Sequence, residues 1–258
     1  MMRTAMIIVK TADEVDRMRR AGILAAEALR EVARMVKPGV TGAHLDRIGE
    51  EFIRSRGGVP SFKGYRGFPS SLCVSVNDEV VHGIPDGRPL RDGEIVSIDL
   101  GVVLDEFHGD IAVTLPVGEV GKDVQKLLTV ARESLFKGID AVRPGRRLGD
   151  VGVAIQRHAE RAGFSVVRDF AGHGIGRQLH EEPQVPNFGE AGTGPVLRVG
   201  MTLALEPMVN AGGYEVYMDE DGWTVRTRDR RPSAHFEHTV AVAQDGPQVL
   251  TAIPDGVL

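Results

Sequence analysis

The segment Glu94-Ile-Val-Ser-Ile-Asp-Leu-Gly-Val-Val-Leu-Asp-Glu-Phe-His-Gly-Asp-Ile-Ala-Val-Thr-Leu-Pro-Val117 decides the fold. Ile95 to Leu104 and Ile111 to Val117 are dominated by β-branched and apolar residues, the composition of strands. Asp105 to Asp110 is polar, contains Gly109, and reads as the connection of a hairpin. Asp99 stands within the first arm, where aspartate is unusual. Asp110 stands at the head of the second arm or in the loop leading to it. A buried carboxylate is costly unless it is paired or bound to a metal. For Asp99 alone, an arginine partner or a strand end facing water would suffice. A hairpin that brings Asp99 and Asp110 to one spot asks for a cation instead.

The pattern on either side of the hairpin is helical. Thr11 and Glu14 have capping-box spacing, and Val15, Met18, Ile23, Ala26, Leu29, Val32 and Met35 fall on one helical face. Lys37-Pro38-Gly39 stops that helix. Thr41 caps a second, with Leu45, Ile48, Phe52 and Ile53 inward and Gly57-Gly58 at its end. Leu72 to Val76 reads as a short strand. Beyond the hairpin come helices at about Val124 to Val142 and Leu148 to Ala162, then strand-like segments with glycine-rich loops. One fixed offset superposes Ala25 on Ala131, Leu29 on Leu135, Val36 on Val142, Pro38 on Pro144, Gly39 on Gly145 and Gly57 on Gly163. The implied architecture is α+β: one domain of two duplicated halves, about 11–117 and 118–250. Their strands join in a curved antiparallel sheet with the helix pairs on its outer face.

The second half supplies matching acids. Glu206 closes the apolar run Thr202-Leu-Ala-Leu-Glu206, and Glu237 lies in Ala234-His-Phe-Glu-His-Thr239. Four carboxylates meeting without a cation would repel, and some would stay protonated; two divalent ions would neutralise them. His173, between Gly172 and Gly174, is a fifth donor. The set is almost all oxygen and suits manganese, iron(II), cobalt or zinc. The Gly-x-Gly run at residues 172–176 is a poor nucleotide loop, because Pro183 and Pro186 stand where a helix should follow.

Composition limits the remaining classes. The chain has 258 residues, 42 per cent hydrophobic, with a net charge of −5. This is a globular composition, without the basic surface of a DNA-binding protein. Arg226, Arg228, Arg230 and Arg231 cluster, which allows a contact with ribosomal RNA, but Asp229 interrupts them and a solvated loop is the simpler reading. Cys73 is the one cysteine, so no intrachain disulfide forms and a reducing compartment fits. The apolar stretch Met6 to Val9 is shorter than the roughly 7–15 residues of a signal sequence. A cytoplasmic monomer with no membrane partner is expected.

Seven motifs occur in order: Asn77-Asp-Glu-Val-Val-His-Gly-Ile-Pro85, Ser97-Ile-Asp-Leu-Gly101, His108-Gly-Asp110, Gly172-His-Gly-Ile-Gly176, His180-Glu-Glu-Pro183, Leu205-Glu-Pro-Met208 and Phe236-Glu-His-Thr239. Together they closely resemble the type I methionine aminopeptidases, from about Thr11 to Ile253. The resemblance implies the pita-bread fold, two divalent metal ions, and removal of the initiator methionine from nascent polypeptides when the next residue is small. It matches Asp99, Asp110, His173, Glu206 and Glu237 to the metal ligands and His82 and His180 to the histidines that contact substrate. Glu206 then takes the proton of the attacking water, His180 binds the developing oxyanion, and His82 contacts the scissile nitrogen.

By position, Tyr65, Phe68, Cys73 and Trp223 line the methionine pocket. Phe62 and Val81 stand where some members have cysteine, and Leu179 where some have phenylalanine. The opening Met1-Met2-Arg3 carries a bulky residue after either methionine, so the enzyme is expected to leave that terminus uncut. Three alternatives share the fold. An Xaa-Pro peptidase usually has an extra N-terminal domain, and capping at Thr11 leaves it no room. A type II enzyme usually has a helical insertion, absent from the spacing between His180 and Glu206. A catalytically dead binding domain usually loses ligands, whereas all five are present.

Overall fold

The computed structural model describes residues 6–252. Met1-Met2-Arg3 and Ile253 lie outside the described residues. The chain opens with α1 (Ala12–Ala33) and α2 (Gly42–Ser55). The capping box forms: the Glu14 N–H donates to Thr11 Oγ1 at 3.3 Å, and the Thr11 N–H donates to Glu14 Oε2 at 2.9 Å. Thr41 Oγ1 accepts from the His44 N–H at 3.2 Å. Strands β1 (Val59–Pro60), β2 (Leu72–Val76) and β3 (Glu79–Val81) lead to the hairpin β4 (Ile95–Leu104) and β5 (Phe107–Pro116). The second helix pair is α3 (Lys122–Ala141) and α4 (Leu148–Arg161). Short strands follow: β6 (Ser165–Val166), β7 (Gly172–Gly174), β8 (Glu181–Val185), β9 (Thr202–Leu205) and β10 (Met208–Asn210). The last are β11 (Val216–Met218), β12 (Val225–Thr227), β13 (Ser233–His235), β14 (Glu237–Ala243) and β15 (Gly246–Val249).

The fold is α+β. The main sheet runs β1-β4-β5-β14-β9-β7-β8, with β2 also paired to β4 and β15 to β14. Each of its pairings is antiparallel. Alternation sorts its faces. Ile98, Leu100 and Val102 of β4, Ile111 and Val113 of β5, and Val240 and Val242 of β14 join Leu29 and Leu135 of the helices in one core. The residues between them point away from the helices.

Three expectations need correction. The hairpin connection is only Asp105-Glu106, whose φ angles of 49° and 71° meet the requirement of a two-residue turn. Phe107, buried at 1 % exposure, already belongs to the strand, so Asp110 lies within β5 and not in a loop. On α1, Leu24 is buried whereas Ile23 is only half-buried, because the helix packs a broad face on both β4 and β5. Arg226 is not part of a solvated loop. It lies in β12 and forms ion pairs with Asp78, Glu79 and Asp219 at 3.1, 2.8 and 2.6 Å.

The two helix pairs are built alike. α2 and α4 each have 14 residues. Before them, Gly39 and Gly145 have φ of 91° and 84°, which glycine adopts without strain. The Gly39 N–H donates to Leu90 O at 2.8 Å, and the Gly145 N–H to Leu197 O at 2.9 Å. Isolated bridges join Thr41 to Pro89 and Arg147 to Val196.

Candidate active site

The ladder register assembles the acids. Ala112 of β5 stands opposite Asp99 of β4 on one side and Glu237 of β14 on the other. Asp110 is two residues from Ala112 and so shares its face. Ala204 of β9 stands opposite both Thr239 of β14 and His173 of β7. Opposed residues share a face, as do residues two apart in one strand. Asp99, Asp110, Glu237 and His173 therefore project together from the face without helices. Glu206, two residues beyond Ala204, closes the ring. Thr239 braces it: its hydroxyl donates to Asp110 O at 2.9 Å and accepts the Asp110 N–H at 2.9 Å.

Asp110, His173 and Glu237 are buried, Asp99 and Glu206 are half-buried, and the acids are electrostatically uncompensated by protein. Burial, then the neighbouring Asp110 and Glu237, push the Asp99 carboxyl well above its ordinary range. Burial and then Glu237 do the same to Asp110. Burial, then Glu237, Asp99 and Asp110, raise Glu206, and burial raises Glu237 to about 8. His173 is lowered to about 3, by burial first and then by His180. Its Nδ1–H donates to Gly174 O at 2.9 Å, so the unprotonated Nε2 faces Glu206 Oε1 at 3.5 Å and Asp110 Oδ2 at 3.9 Å. Asp99 Oδ1, Asp110 Oδ1 and Glu237 Oε1 are buried with no hydrogen-bond partner. Unpaired buried carboxylate oxygens are costly, and divalent cations would satisfy them. The five residues fit a metal centre by donor chemistry and by these orphaned oxygens.

Beside the acids is a cavity of about 140 Å³, lined on its apolar side by Phe62, Tyr65, Phe68, Cys73, Leu179 and Trp223. A cavity of ~150 Å³ houses a benzene-sized guest, so this one takes a single side chain. Cys73 enters it because β2 pairs Cys73 with Asp99. Trp223 meets Phe68 edge-on at 5.1 Å. His180 stacks on Tyr65 at 5.2 Å and lies 4.2 Å from the His173 ring. Its Nδ1 is 2.8 Å from the Tyr65 hydroxyl. His82, held at φ 59°, meets Phe170 edge-on at 5.8 Å. Both rings are lowered to about 4, His180 by burial and then Arg66, His82 by burial and then His235.

The structure thus brings together every residue singled out for the metal set, the histidine contacts and the pocket. Phe62 and Leu179 join the pocket wall. Val81 does not; it packs with Val80, Val167, Met208 and Val225. The glycine run at residues 172–176 starts as strand β7 and is followed by strand β8, not a helix. Arg66 at the cavity wall and the buried His235 beside Glu237 are additions. Alternation along Ala234-His-Phe-Glu237 would have found His235, since it lies two residues before a candidate ligand.

A curled antiparallel sheet, flanked by four helices and gathering carboxylates and histidine on its open face, defines a metal-dependent hydrolase. The model of metallopeptidase family M24 matches residues 16–244, and the chain belongs to that family and has its pita-bread fold. It is 53 % identical to a methionine aminopeptidase of Clostridium perfringens, over 96 % of this chain and 100 % of that one. It is 50 % identical to methionine aminopeptidase 1 of Bacillus subtilis, with the same coverage. The crystal structure of methionine aminopeptidase from Rickettsia prowazekii superposes with a TM-score of 0.95 at 46 % identity, over 96 % of this chain and 100 % of that one. Within M24, the chain falls among the type I methionine aminopeptidases.

Proposed function

We propose that this protein hydrolyses the peptide bond after an N-terminal methionine in nascent polypeptides, when the second residue is small. Asp99, Asp110, His173, Glu206 and Glu237 would hold two divalent ions, drawn from cobalt, manganese, iron(II) and zinc. When bound, such ions supply Lewis acidity to the scissile carbonyl and lower the pKa of water. The chain's own residues do the rest. The methionine side chain fills the apolar cavity, where Cys73 and the aromatic rings tolerate sulfur. Glu206, at the edge of the cluster, accepts the proton of the attacking water and returns it to the departing amine nitrogen. The Tyr65 hydroxyl donates to His180 Nδ1, so His180 carries its proton on Nε2 and hydrogen-bonds the carbonyl oxygen with it as charge develops. His82, neutral in its buried setting, hydrogen-bonds the departing amine nitrogen.

The observation that carries this reading is the placement of a one-side-chain apolar cavity directly against the acid cluster. Such a cavity is filled by an unbranched thioether, whereas the N-terminal alanine of Ala-Pro would leave most of it empty. The matched construction of the two helix pairs supports descent of the two halves from one repeated unit, and the lone cysteine suits a cytoplasmic setting. The test is turnover of Met-Ala-Ser against Ala-Pro dipeptides after chelation and after return of each metal. Rapid release of methionine that needs added metal is the expected result. Preference for Ala-Pro, or full turnover in excess chelator, would overturn the proposal.

A further inference from the structure

We propose that His235 is a sixth metal ligand, completing a cation position with Asp99 and Glu237; this inference rests on the metal reading above. His235 ends β13, two residues before Glu237, and is only 1 % exposed. Its Nδ1 has no hydrogen-bond partner. Its Nε2 stands 3.8 Å from Glu237 Oε2. That is beyond the ~2.7–3.2 Å of a hydrogen bond. It is instead the spacing of two donors flanking one ion, since metal–ligand bonds of about 2.0–2.2 Å set neighbouring donors roughly 3–4 Å apart. The other side of the centre has the same spacing, with His173 Nε2 at 3.5 Å from Glu206 and 3.9 Å from Asp110.

Five of the six donors, all but Glu206, form two triads. One atom each from Asp110, His173 and Glu237 lie within 4.8 Å of one another, and so do one atom each from Asp99, His235 and Glu237. Each triad has one aspartate and one imidazole, and Glu237 is shared. The backbone of His235 is fixed for such a role. Its N–H donates to Thr114 Oγ1 at 2.7 Å, and the Thr114 hydroxyl donates back to His235 O at 2.8 Å. Ser97 Oγ lies 2.8 Å from the same hydroxyl, which leaves Ser97 as the donor of that pair. The ring is therefore carried on a pinned strand end beside Glu237.

The chemical consequence is selectivity. With carboxylates alone, the Asp99 position would be an all-oxygen site suited to magnesium or manganese. An imidazole nitrogen moves it toward cobalt, zinc and iron. The competing role for His235 is a hydrogen-bonding neighbour that orients Glu237 without touching the ion.

Metal-free wild type and His235→Gln are titrated with cobalt(II) chloride and then with manganese(II) chloride. Binding is read by calorimetry, and the imidazole scattering of the cobalt-loaded forms by X-ray absorption. Wild type is expected to bind two cobalt ions with scattering from two rings. His235→Gln is expected to keep the first ion, to show one ring, and to bind the second ion ~10²-fold or more weakly, with a smaller preference for cobalt over manganese. Two rings in wild type and in His180→Ala support the assignment even if the His235 variant misfolds. Only one ring overturns it. So does a variant with unchanged ring count, including one whose second ion weakens only ~10–100-fold, as an orienting neighbour would cause. Wild type that binds no cobalt would instead overturn the metal reading on which the inference stands.

Discussion

Glu237 and His238 are adjacent in β14 and face opposite sides of it, and burial shifts them in opposite directions. Glu237 is raised to about 8 by burial among the acids. His238, against Phe136 of α3 and bonded through Nδ1 to Thr251 Oγ1, is lowered to about 4 by burial and then Arg132. For Glu237 the folded state binds the extra proton. Its contribution to stability is full below the unfolded value of about 4.3 and is lost as pH rises through about 8. Metal-free Glu237→Gln should therefore gain on wild type in urea midpoint between pH 5 and pH 9, while losing metal affinity. A difference in midpoint that is the same at pH 9 as at pH 5 would contradict this. For His238 the unfolded state binds the extra proton. Its contribution is present above about pH 6.5 and lost as pH falls toward 4, so His238→Gln should flatten the acid limb by up to ~1.4 kcal/mol per pH unit. His180→Ala should keep metal content, measured by elemental analysis, and lose roughly 10²–10³ in kcat, the scale of one oxyanion donor. Metal loss in that variant would make His180 a ligand instead.

The hairpin β4–β5 shows why elements were easier to read than their ends. Its two arms are legible because β-branched residues run through both. Its turn is not, because Asp105 and Glu106 carry no glycine yet both adopt positive φ. Gly109 looked like part of that turn, and its reason is tertiary: a Cβ there would lie 2.6 Å from the N and Cα of Gly22 on α1. Helix and strand touch backbone to backbone at this point, one residue before Asp110. Gly109→Ala should cost about 1–3 kcal/mol in denaturant unfolding, as overpacking does, and should also weaken metal binding by shifting Asp110. Unchanged stability and metal affinity would show that α1 can move away. Thr11→Ala, at the cap of the same helix, should cost about 1 kcal/mol without changing kcat.

At the scale of the whole molecule, the metal is expected to bind the folded state and not the unfolded chain. Cobalt or manganese at a hundred times its dissociation constant should then stabilise by about 2.7 kcal/mol, and chelation should reverse the rise in Tm. No change in Tm with metal would deny a built site. Substrate choice is also set at this scale, because the cavity and the acid ring come from both halves. A bulky second residue displaces the carbonyl from the ring, and ~1 Å of misplacement costs ~10²-fold. Met-Ala-Ser should be cut far faster than Met-Arg-Ser; comparable kcat/KM values would place the second side chain away from the acids.

Residue patterns alone dictate the helix pairs with their caps and glycine stops, the strand character of the long hairpin, and the acids on apolar strands. These are local: hydrophobic period, capping chemistry and residue type act within a few positions. The seven ordered motifs carried the rest of the site as a resemblance. The register that puts Ala112 between Asp99 and Glu237, and Ala204 between Thr239 and His173, emerges only in the folded sheet. The tertiary structure alone seats Arg226 among three acids and brings His235 beside Glu237. Those placements depend on strands far apart in the chain meeting edge to edge, where a one-residue slip would turn every donor to the helix face. Which acids meet is a property of that pairing.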